Sequence, residues 1–412
     1  MSDEKIARPL GHGPGGLTLS ASQFSVPAGS LWARLPWIAG IAGLVGIAAS
    51  AVIGWGTKQF FFSWLVSYLY FLSIALGGLF FVLVLFVTKA GWGVVVRRVS
   101  ENVMSTLPLF AVLFIPIWLG RHELFHWTHE QAVAADAILQ AKAPYLNGGF
   151  FLGRAVAYFV IWVLLSWWFA AQSRRQDRTG DHAITHRLQF WSGPSIFLFA
   201  VTTSFAAFDW IMSLDPHWYS TMFGVYLFAG ALVGVFAFQA IVFIALERSG
   251  LLRNVVNTEH FHDMGKLLFA FTVFWAYIGF SQYFLIWYAN IPEETIWFEH
   301  RLAGSWESMS LLLAVGHFLV PFFFLMPKTI KRSRTLLMSG AVWMLLMHFV
   351  DIFWCVMPVL HHHGIHLDLL DVTTFLGVGG LFVSVFSWLL ARHALIPVKD
   401  PRLPESLAFE NM

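Results

Sequence analysis

The sequence contains a single cysteine, Cys355, among 412 residues. One thiol cannot form an internal disulfide, attach a haem through a CxxCH motif or hold an iron–sulfur cluster, all of which need at least two cysteines. Any redox centre associated with this chain would therefore be bound non-covalently or belong to a partner.

Charged residues are also scarce. They make up 12% of the chain, against about 25% in soluble domains, while 58% of residues are hydrophobic. The stretches between apolar windows, including residues 120–147, are too short to bury a core of their own. The first 35 residues lack the basic, apolar and small-residue pattern of a secretory signal, so no cleaved presequence is expected. The net charge of +2 gives no reason to expect nucleic-acid binding. The composition is that of a membrane protein.

Ten windows of about 20 mostly apolar residues are long enough to cross a bilayer as helices. The predicted fold class is therefore an all-α integral membrane protein with about ten spans. Spans 2–5 and 6–9 have equal helix numbers and start on the same side, which predicts two four-helix bundles. Spans 1 and 10 carry glycines but no charge, and we expect them to pack at the periphery. The windows are Pro36–Trp55, Phe60–Val87, Val103–Leu119, Gly149–Ala171, Ser192–Ile211, Tyr219–Leu246, Gly265–Tyr288, Ser305–Met326, Leu336–Pro358 and Thr373–Leu390.

An even number of spans places both chain ends on one face, here called the terminal face. Residues 1–35 and 392–412 would then be tails on that face, flanking a ten-span domain over residues 36–391. Most of the 25 Lys and Arg residues fall on the terminal face, and the positive-inside rule makes that face cytoplasmic. The exceptions, on the opposite face, are Lys58, Arg121, Lys142, Arg154 and Arg301.

Three ionisable residues are predicted to lie deep in the membrane, where charge is costly. His317 is roughly 18 Å from the opposite-face end of span 8 by helical rise. His348 and Asp351 are three residues apart in span 9 and share a helix face. Asp209 and Glu307 lie near the opposite-face ends of spans 5 and 8. Buried carboxyl and imidazole groups can take up and release protons, so these five residues predict a proton relay.

Other interpretations of the same residues remain open. Buried polar side chains often do no more than hydrogen-bond a neighbouring helix. His317 and His348 could instead ligate a haem from facing helices. For the part of a relay between the deep residues and the terminal face, called the inner leg, the sequence offers only side chains with hydroxyl groups. They are Thr202, Thr203, Ser204, Tyr277 and Ser281.

The stretch "HELFH", His122 to His126, matches the zinc-protease pattern HExxH. It lies in the aromatic and acidic strip "RHELFHWTHE", directly after span 3, and no third-ligand motif follows it. We interpret the strip as an interfacial segment with Phe125 and Trp127 at the level of the lipid headgroups. A second histidine run, His361–His363 with His366, could bind a metal but is more typical of a solvated docking loop.

The hairpin "FDWIMSLDPHWYSTMFGVY", Phe208 to Tyr226, joins spans 5 and 6. Pro216 is typical of a first helical position and Asp215 of the cap before it, which predicts that a helix begins there, just before the apolar window of span 6. Neither rule accounts for Asp209 within the last turn of span 5 or for His217 just outside the membrane. Asp209, a buried acid beside the surface histidine His217, favours a proton exit or a site that holds a quinol hydroxyl. Asp215 and His217 are the candidate residues of a site on the outer hairpin.

This hairpin resembles the signature of the integral-membrane subunits of alternative complex III, a bacterial quinol:cytochrome c oxidoreductase. The resemblance extends to ten spans, to both termini inside and to acidic outer loops. These subunits are related to the NrfD and PsrC membrane-anchor family. A chain of this length with a short C-terminal tail resembles the ActF-like membrane subunit more than the quinol-binding, NrfD/PsrC-like one, which remains the alternative.

The resemblance implies a non-catalytic subunit in the bacterial inner membrane that is haem-free and has no cofactor bound by this chain. Such a subunit holds periplasmic redox subunits and offers a proton path. Quinol would be the substrate of the whole complex. The implied partners are c-type cytochromes, an NrfD/PsrC-like quinol subunit, a periplasmic iron–sulfur subunit, lipid and, as a further option, a terminal oxidase. A stand-alone secondary transporter is the rival from a different class, and it would require unwound spans or a polar cavity at mid-depth.

Overall fold

The computed structural model describes residues 24–253 and 255–410, and this part of the chain is helical without strands. It contains ten helices long and apolar enough to cross a membrane, which confirms the predicted fold class of a multi-pass all-α membrane protein. In chain order, spans 1 to 10 are Leu31–Gly54, Lys58–Val87, Val94–Leu119, Gly148–Thr179, His182–Leu214, Phe223–Arg248, Thr258–Ala289, Trp306–Leu325, Arg334–Val359 and Leu369–Arg392.

Spans 2 and 6 form the centre of the molecule. In each of them 78% of the apolar window is buried, against 22% in span 1. Span 2 packs on spans 3 and 5, span 6 packs on spans 7 and 9, and the two central helices also contact each other. This arrangement matches two four-helix bundles, spans 2–5 and 6–9, joined along their first helices.

Spans 1 and 10 pack face to face through glycines. A Cβ atom added to Gly46 would lie 2.6 Å from the backbone nitrogen of Gly377, and one added to Gly380 would lie 2.5 Å from the Cα of Gly43. These approaches are shorter than any side chain permits. Since hydrophobic burial supplies little drive between helices in lipid, close backbone contact is what holds this pair together.

We expect Gly46→Ala to destabilise the protein by about 1–3 kcal/mol, because the added methyl group has no space and must push span 10 away. The matched control is Gly153→Ala in span 4, where a Cβ atom would meet nothing within 4 Å. Thermal unfolding of both variants in detergent checks this prediction. Equal stabilities for the two variants would contradict the close packing of spans 1 and 10.

Span 3 begins earlier than predicted. Its first helical segment is Val94–Met104, so Arg97 and Arg98 lie within the helix and are 4% and 1% exposed. Acids face both guanidinium groups: Arg97 Nη2 donates to Asp400 at 2.7 Å and Arg98 Nη1 lies 3.1 Å from Glu101. The predicted start at Val103 was wrong because a hydropathy window treats every charge as exposed.

The C-terminal segment after span 10 is packed on the protein. The backbone N–H of Leu395 donates to the carbonyl of Phe24 at 2.7 Å, so the first and last parts of the described chain lie on the same face. Ser406 is fully buried and its hydroxyl donates to the carbonyl of Trp92 at 2.6 Å. The terminal face is thus a structural fact, while its assignment to the cytoplasm stays a prediction.

Short helices cover the opposite face. They are Arg121–Leu124, His126–Thr128, Glu130–Ala135, Ala137–Lys142 and Pro292–Leu302. The hairpin between spans 5 and 6 packs on the last of these: the indole of Trp218 stacks on Trp297 with ring centres 4.7 Å apart and donates to the carbonyl of Glu294 at 3.1 Å. Span 6 begins at Phe223 and not at Pro216. These contacts, and not a helix cap, hold the segment after Asp215.

Candidate functional site

The three deep ionisable residues predicted from the sequence meet in the second bundle. His348 and Asp351 share one face of span 9, and His317 faces them from span 8. One ligand atom from each residue lies within 4.8 Å of the others. All three side chains are buried, with exposures of 0% for both histidines and 1% for Asp351. None of them points into lipid.

Asp351 is held by the two remaining helices of the bundle. The hydroxyl of Tyr226, from span 6, donates to Oδ1, and the indole of Trp275, from span 7, donates to Oδ2 at 3.0 Å. Each carboxylate oxygen therefore has one fixed donor and keeps a lone pair for another. All four helices of the second bundle contribute a side chain to the site.

His317 lies in an irregular part of span 8. Residues Leu313–Leu319 form a π-helical segment, and Pro321, four residues after His317, has no N–H to donate to the His317 carbonyl. Such π-helical segments often occur at functional sites. The His317 ring stacks on Trp275 with ring centres 3.8 Å apart. Among the described residues neither of its ring nitrogens has a hydrogen-bond partner.

His348 connects the site to the first bundle. Its Nε2 is 2.8 Å from the hydroxyl of Ser73 in span 2, while its Nδ1 has no partner among the described residues. Two glycines of span 6 make room for it. A Cβ atom on Gly234 would lie 3.0 Å from His348 Cδ2, and one on Gly230 would lie 3.4 Å from both Asp351 Oδ2 and His348 Nδ1.

Ser73 also borders a small cavity between spans 2, 5, 6 and 9. Its volume is about 50 Å³, enough for a few waters. Thr203, one of the hydroxyl candidates from the sequence, and Trp210 line the same cavity. The Thr203 hydroxyl and the Trp210 indole nitrogen are buried without a partner among the described residues. Polar groups therefore continue from His348 to span 5.

Glu307 lies on the wall of a second, larger cavity. This cavity has a volume of about 880 Å³ and is mostly apolar, and its lining also includes Tyr226 and Trp275, the two donors to Asp351. Arg301 also lines this cavity. Its side chain is 1% exposed, donates to the carbonyls of Trp354 and Cys355, and has a pKa that burial lowers to about 10. Arg301 is thus still a cation at neutral pH.

Asp209 lies apart from these groups, in the first bundle. Arg154 of span 4 donates to both of its carboxylate oxygens, at 2.8 and 2.9 Å. The hydroxyl of Tyr158 donates to Oδ2 at 2.8 Å. Asp209 is 0% exposed. The sequence pattern does not reveal this ion pair, because Arg154 lies near a span end, where a basic side chain usually faces water.

Asp215 and His217 belong to the opposite-face surface. His217 Nε2 is 2.5 Å from Asp136 Oδ2, and the hydrogen bond from His217 is the main cause that lowers the pKa of that carboxyl. Asp215 Oδ2 lies 3.8 Å from His300 Nδ1. Burial lowers the pKa of His300 and favours its neutral form at pH 7. The two hairpin residues therefore contact surface partners and not the deep cluster.

The deep cluster has donors that a transition metal accepts, namely two imidazoles and a carboxylate. A haem between the two histidines does not fit, because the Trp275 ring covers His317 and the backbone of span 6 lies against His348. Two imidazoles with unpaired nitrogens beside a carboxyl group can, in contrast, exchange protons without any rearrangement of the helices.

Searches against protein-family models and against curated protein sequences give no match for this chain.

Proposed function

We propose that this protein is a membrane subunit of a bacterial respiratory quinol oxidoreductase of the alternative complex III type. In this role it holds redox subunits on its opposite face and conducts protons during quinol oxidation. The observation that carries the proposal is the convergence of His317, His348 and Asp351 at one point inside the second bundle, within 4.8 Å and away from lipid. The resemblance of the Phe208–Tyr226 hairpin supports the choice of complex.

The proposed proton path runs through groups that touch one another or share a cavity. Glu307 exchanges protons at the large cavity, which reaches the Asp351 donors Tyr226 and Trp275. Asp351 and His348 hold the proton inside the bundle. Ser73 then passes it toward Thr203 across the small cavity. Asp209 fits the path less well than Glu307, since Arg154 and Tyr158 already occupy its carboxylate.

The positive-inside rule supports a cytoplasmic terminal face in the bacterial inner membrane. The opposite face would then meet the periplasmic partners. Electrons would pass from quinol through iron–sulfur clusters and c-type haems of those partners, because the single buried cysteine of this chain holds neither. Under this proposal the protein takes part in energy conversion without being the catalytic subunit.

A second candidate is the quinol-binding, NrfD/PsrC-like membrane subunit of the same complex. It is favoured by the large cavity, whose volume of about 880 Å³ and apolar lining suit a ligand with a ring and a long hydrocarbon tail. The polar groups at its wall include Gln282, in the opposite-face half of span 7. In a structure of the whole complex, an iron–sulfur cluster within electron-transfer distance of this cavity would favour the quinol-binding role over the ActF-like one.

Purification from the native membrane tests the proposed function. We expect the protein, solubilised in mild detergent and captured by a C-terminal tag, to bring partners with the absorption bands of c-type haem. A secondary transporter would instead elute as a monomer or homo-oligomer without haem bands, and this result would contradict membership of a respiratory complex.

A further inference from the structure

Six of the 17 histidines surround one basin on the opposite face. The basin has a volume of about 450 Å³ and is also lined by Glu123, Asp215 and Lys58. The proposed proton path does not use any of its histidines. They come from four separate parts of the chain and are His122, His126, His129, His217, His300 and His362.

The strip after span 3 presents three of these histidines on one side. Its first helix ends at Leu124, and Phe125 is extended, with φ −113° and ψ 114°. His122 and His126 therefore do not share one continuous helix, as the HExxH histidines of a zinc protease do. Phe125 and Trp127 are 0% and 3% exposed and pack on the Phe151 ring.

These two aromatic rings lie inside the protein and not at the headgroup level predicted from the sequence. Because they point inward, they fix the backbone of the strip. His122, His126 and His129 are exposed and line the basin.

The imidazole ring of His129 lies near the rings of both His122 and His126. The ring centre of His129 is 5.9 Å from that of His122 and 6.2 Å from that of His126. Two imidazoles bound to one tetrahedral zinc ion at about 2.0–2.1 Å have ring centres about 5 Å apart, so these exposed side chains would need only a small rotation to share a metal. His129 is thus placed to share a metal with both histidines of the HExxH stretch, and it supplies the third ligand that the sequence motif lacked.

We propose that His122, His126 and His129 bind one divalent cation of the zinc class on the opposite face. Three imidazoles favour zinc, copper, nickel or cobalt, whereas magnesium and calcium require oxygen ligands. Three protein ligands leave a fourth position that faces the basin, open to water or to Glu123. This site is separate from the deep cluster and does not rest on the proposed respiratory role.

Cobalt titration of the purified protein, together with any subunits that co-purify, tests the site. In difference spectra recorded against the metal-free sample, we expect one equivalent of Co²⁺ to add the visible bands of tetrahedral coordination by three nitrogens and one oxygen, and Zn²⁺ to displace it. His129→Ala and, separately, His126→Ala should weaken binding by at least about tenfold. His186→Ala, an exposed histidine of span 5 on the terminal face, is the matched control and should bind as the wild type does.

Two results would overturn the proposal. The first is the absence of stoichiometric binding at micromolar metal. The second is unchanged binding in both His129→Ala and His126→Ala. Loss of binding in His362→Ala would then assign the metal to the far side of the basin, and loss of binding in His348→Asn would assign it to the deep cluster. Because the side chains of His126 and His129 are exposed, unchanged thermal unfolding verifies that both variants are folded.

Discussion

Replacement of Asp351 by Asn is expected to slow proton translocation by at least about a hundredfold while the protein still folds and assembles. An amide has nearly the same shape as a carboxyl group but cannot release or accept a proton at physiological pH. Loss of one positioned acid–base group typically costs about 10²–10⁴ in rate. Of the two donors that hold Asp351, Tyr226 and Trp275, only one would find an acceptor in the amide.

The measurement uses the purified complex in sealed liposomes, with quinol oxidation as the driving reaction and a pH-sensitive dye inside. Asp368→Asn is the matched control, because Asp368 caps span 10 on the opposite face and asparagine caps a helix equally well. Translocation by Asp351→Asn at the wild-type rate would remove Asp351 from the proton path.

Replacement of Arg154 by Ala is expected to give the largest loss of stability, about 3–5 kcal/mol. The change would leave the Asp209 carboxylate buried at 0% exposure with Tyr158 as its remaining side-chain donor. It would also remove the stacking of the guanidinium on the Tyr145 ring, now 3.8 Å from its centre. Unfolding by SDS or by heat, followed by helical circular dichroism, measures the loss.

The double variant Arg154→Met with Asp209→Leu separates stability from proton transfer. Apolar residues of similar volume often replace a buried ion pair with little or no loss of stability, so we expect the double variant to recover most of what Arg154→Ala loses. Proton translocation should then be near the wild-type rate. A stable double variant that no longer translocates protons would show that Asp209 belongs to the path.

The number of spans could be predicted because a helix needs about 20 apolar residues to cross a bilayer, and such windows are visible one at a time. Ends of spans were less predictable. Arg97 lies inside span 3, where Asp400 compensates its charge, and Asp400 is 303 positions further along the chain. Span 6 begins after Pro216, at Phe223, because Trp218 and Trp297 stack. Contacts between distant residues decided both outcomes.

The same limit applies to the candidate site. Depth along a single helix was enough to select His317, His348 and Asp351, since charge deep in a membrane is costly. It could not predict Tyr226, Trp275 or Ser73 as their neighbours, because the rotation of one helix against another depends on the packed bundle. The two glycines of span 6 that make room for His348 mark this close packing in the sequence, but they do not indicate which helix approaches them.

Infrared difference spectroscopy of the complex, recorded as quinol is oxidised, tests most directly whether the deep cluster exchanges protons. We predict a carboxyl C=O band that changes on turnover, shifts in D₂O and is missing from Asp351→Asn. Difference spectra that are identical for the wild type and Asp351→Asn throughout the carboxyl region would contradict a proton-conducting role, and the cluster would then be a structural contact between helices.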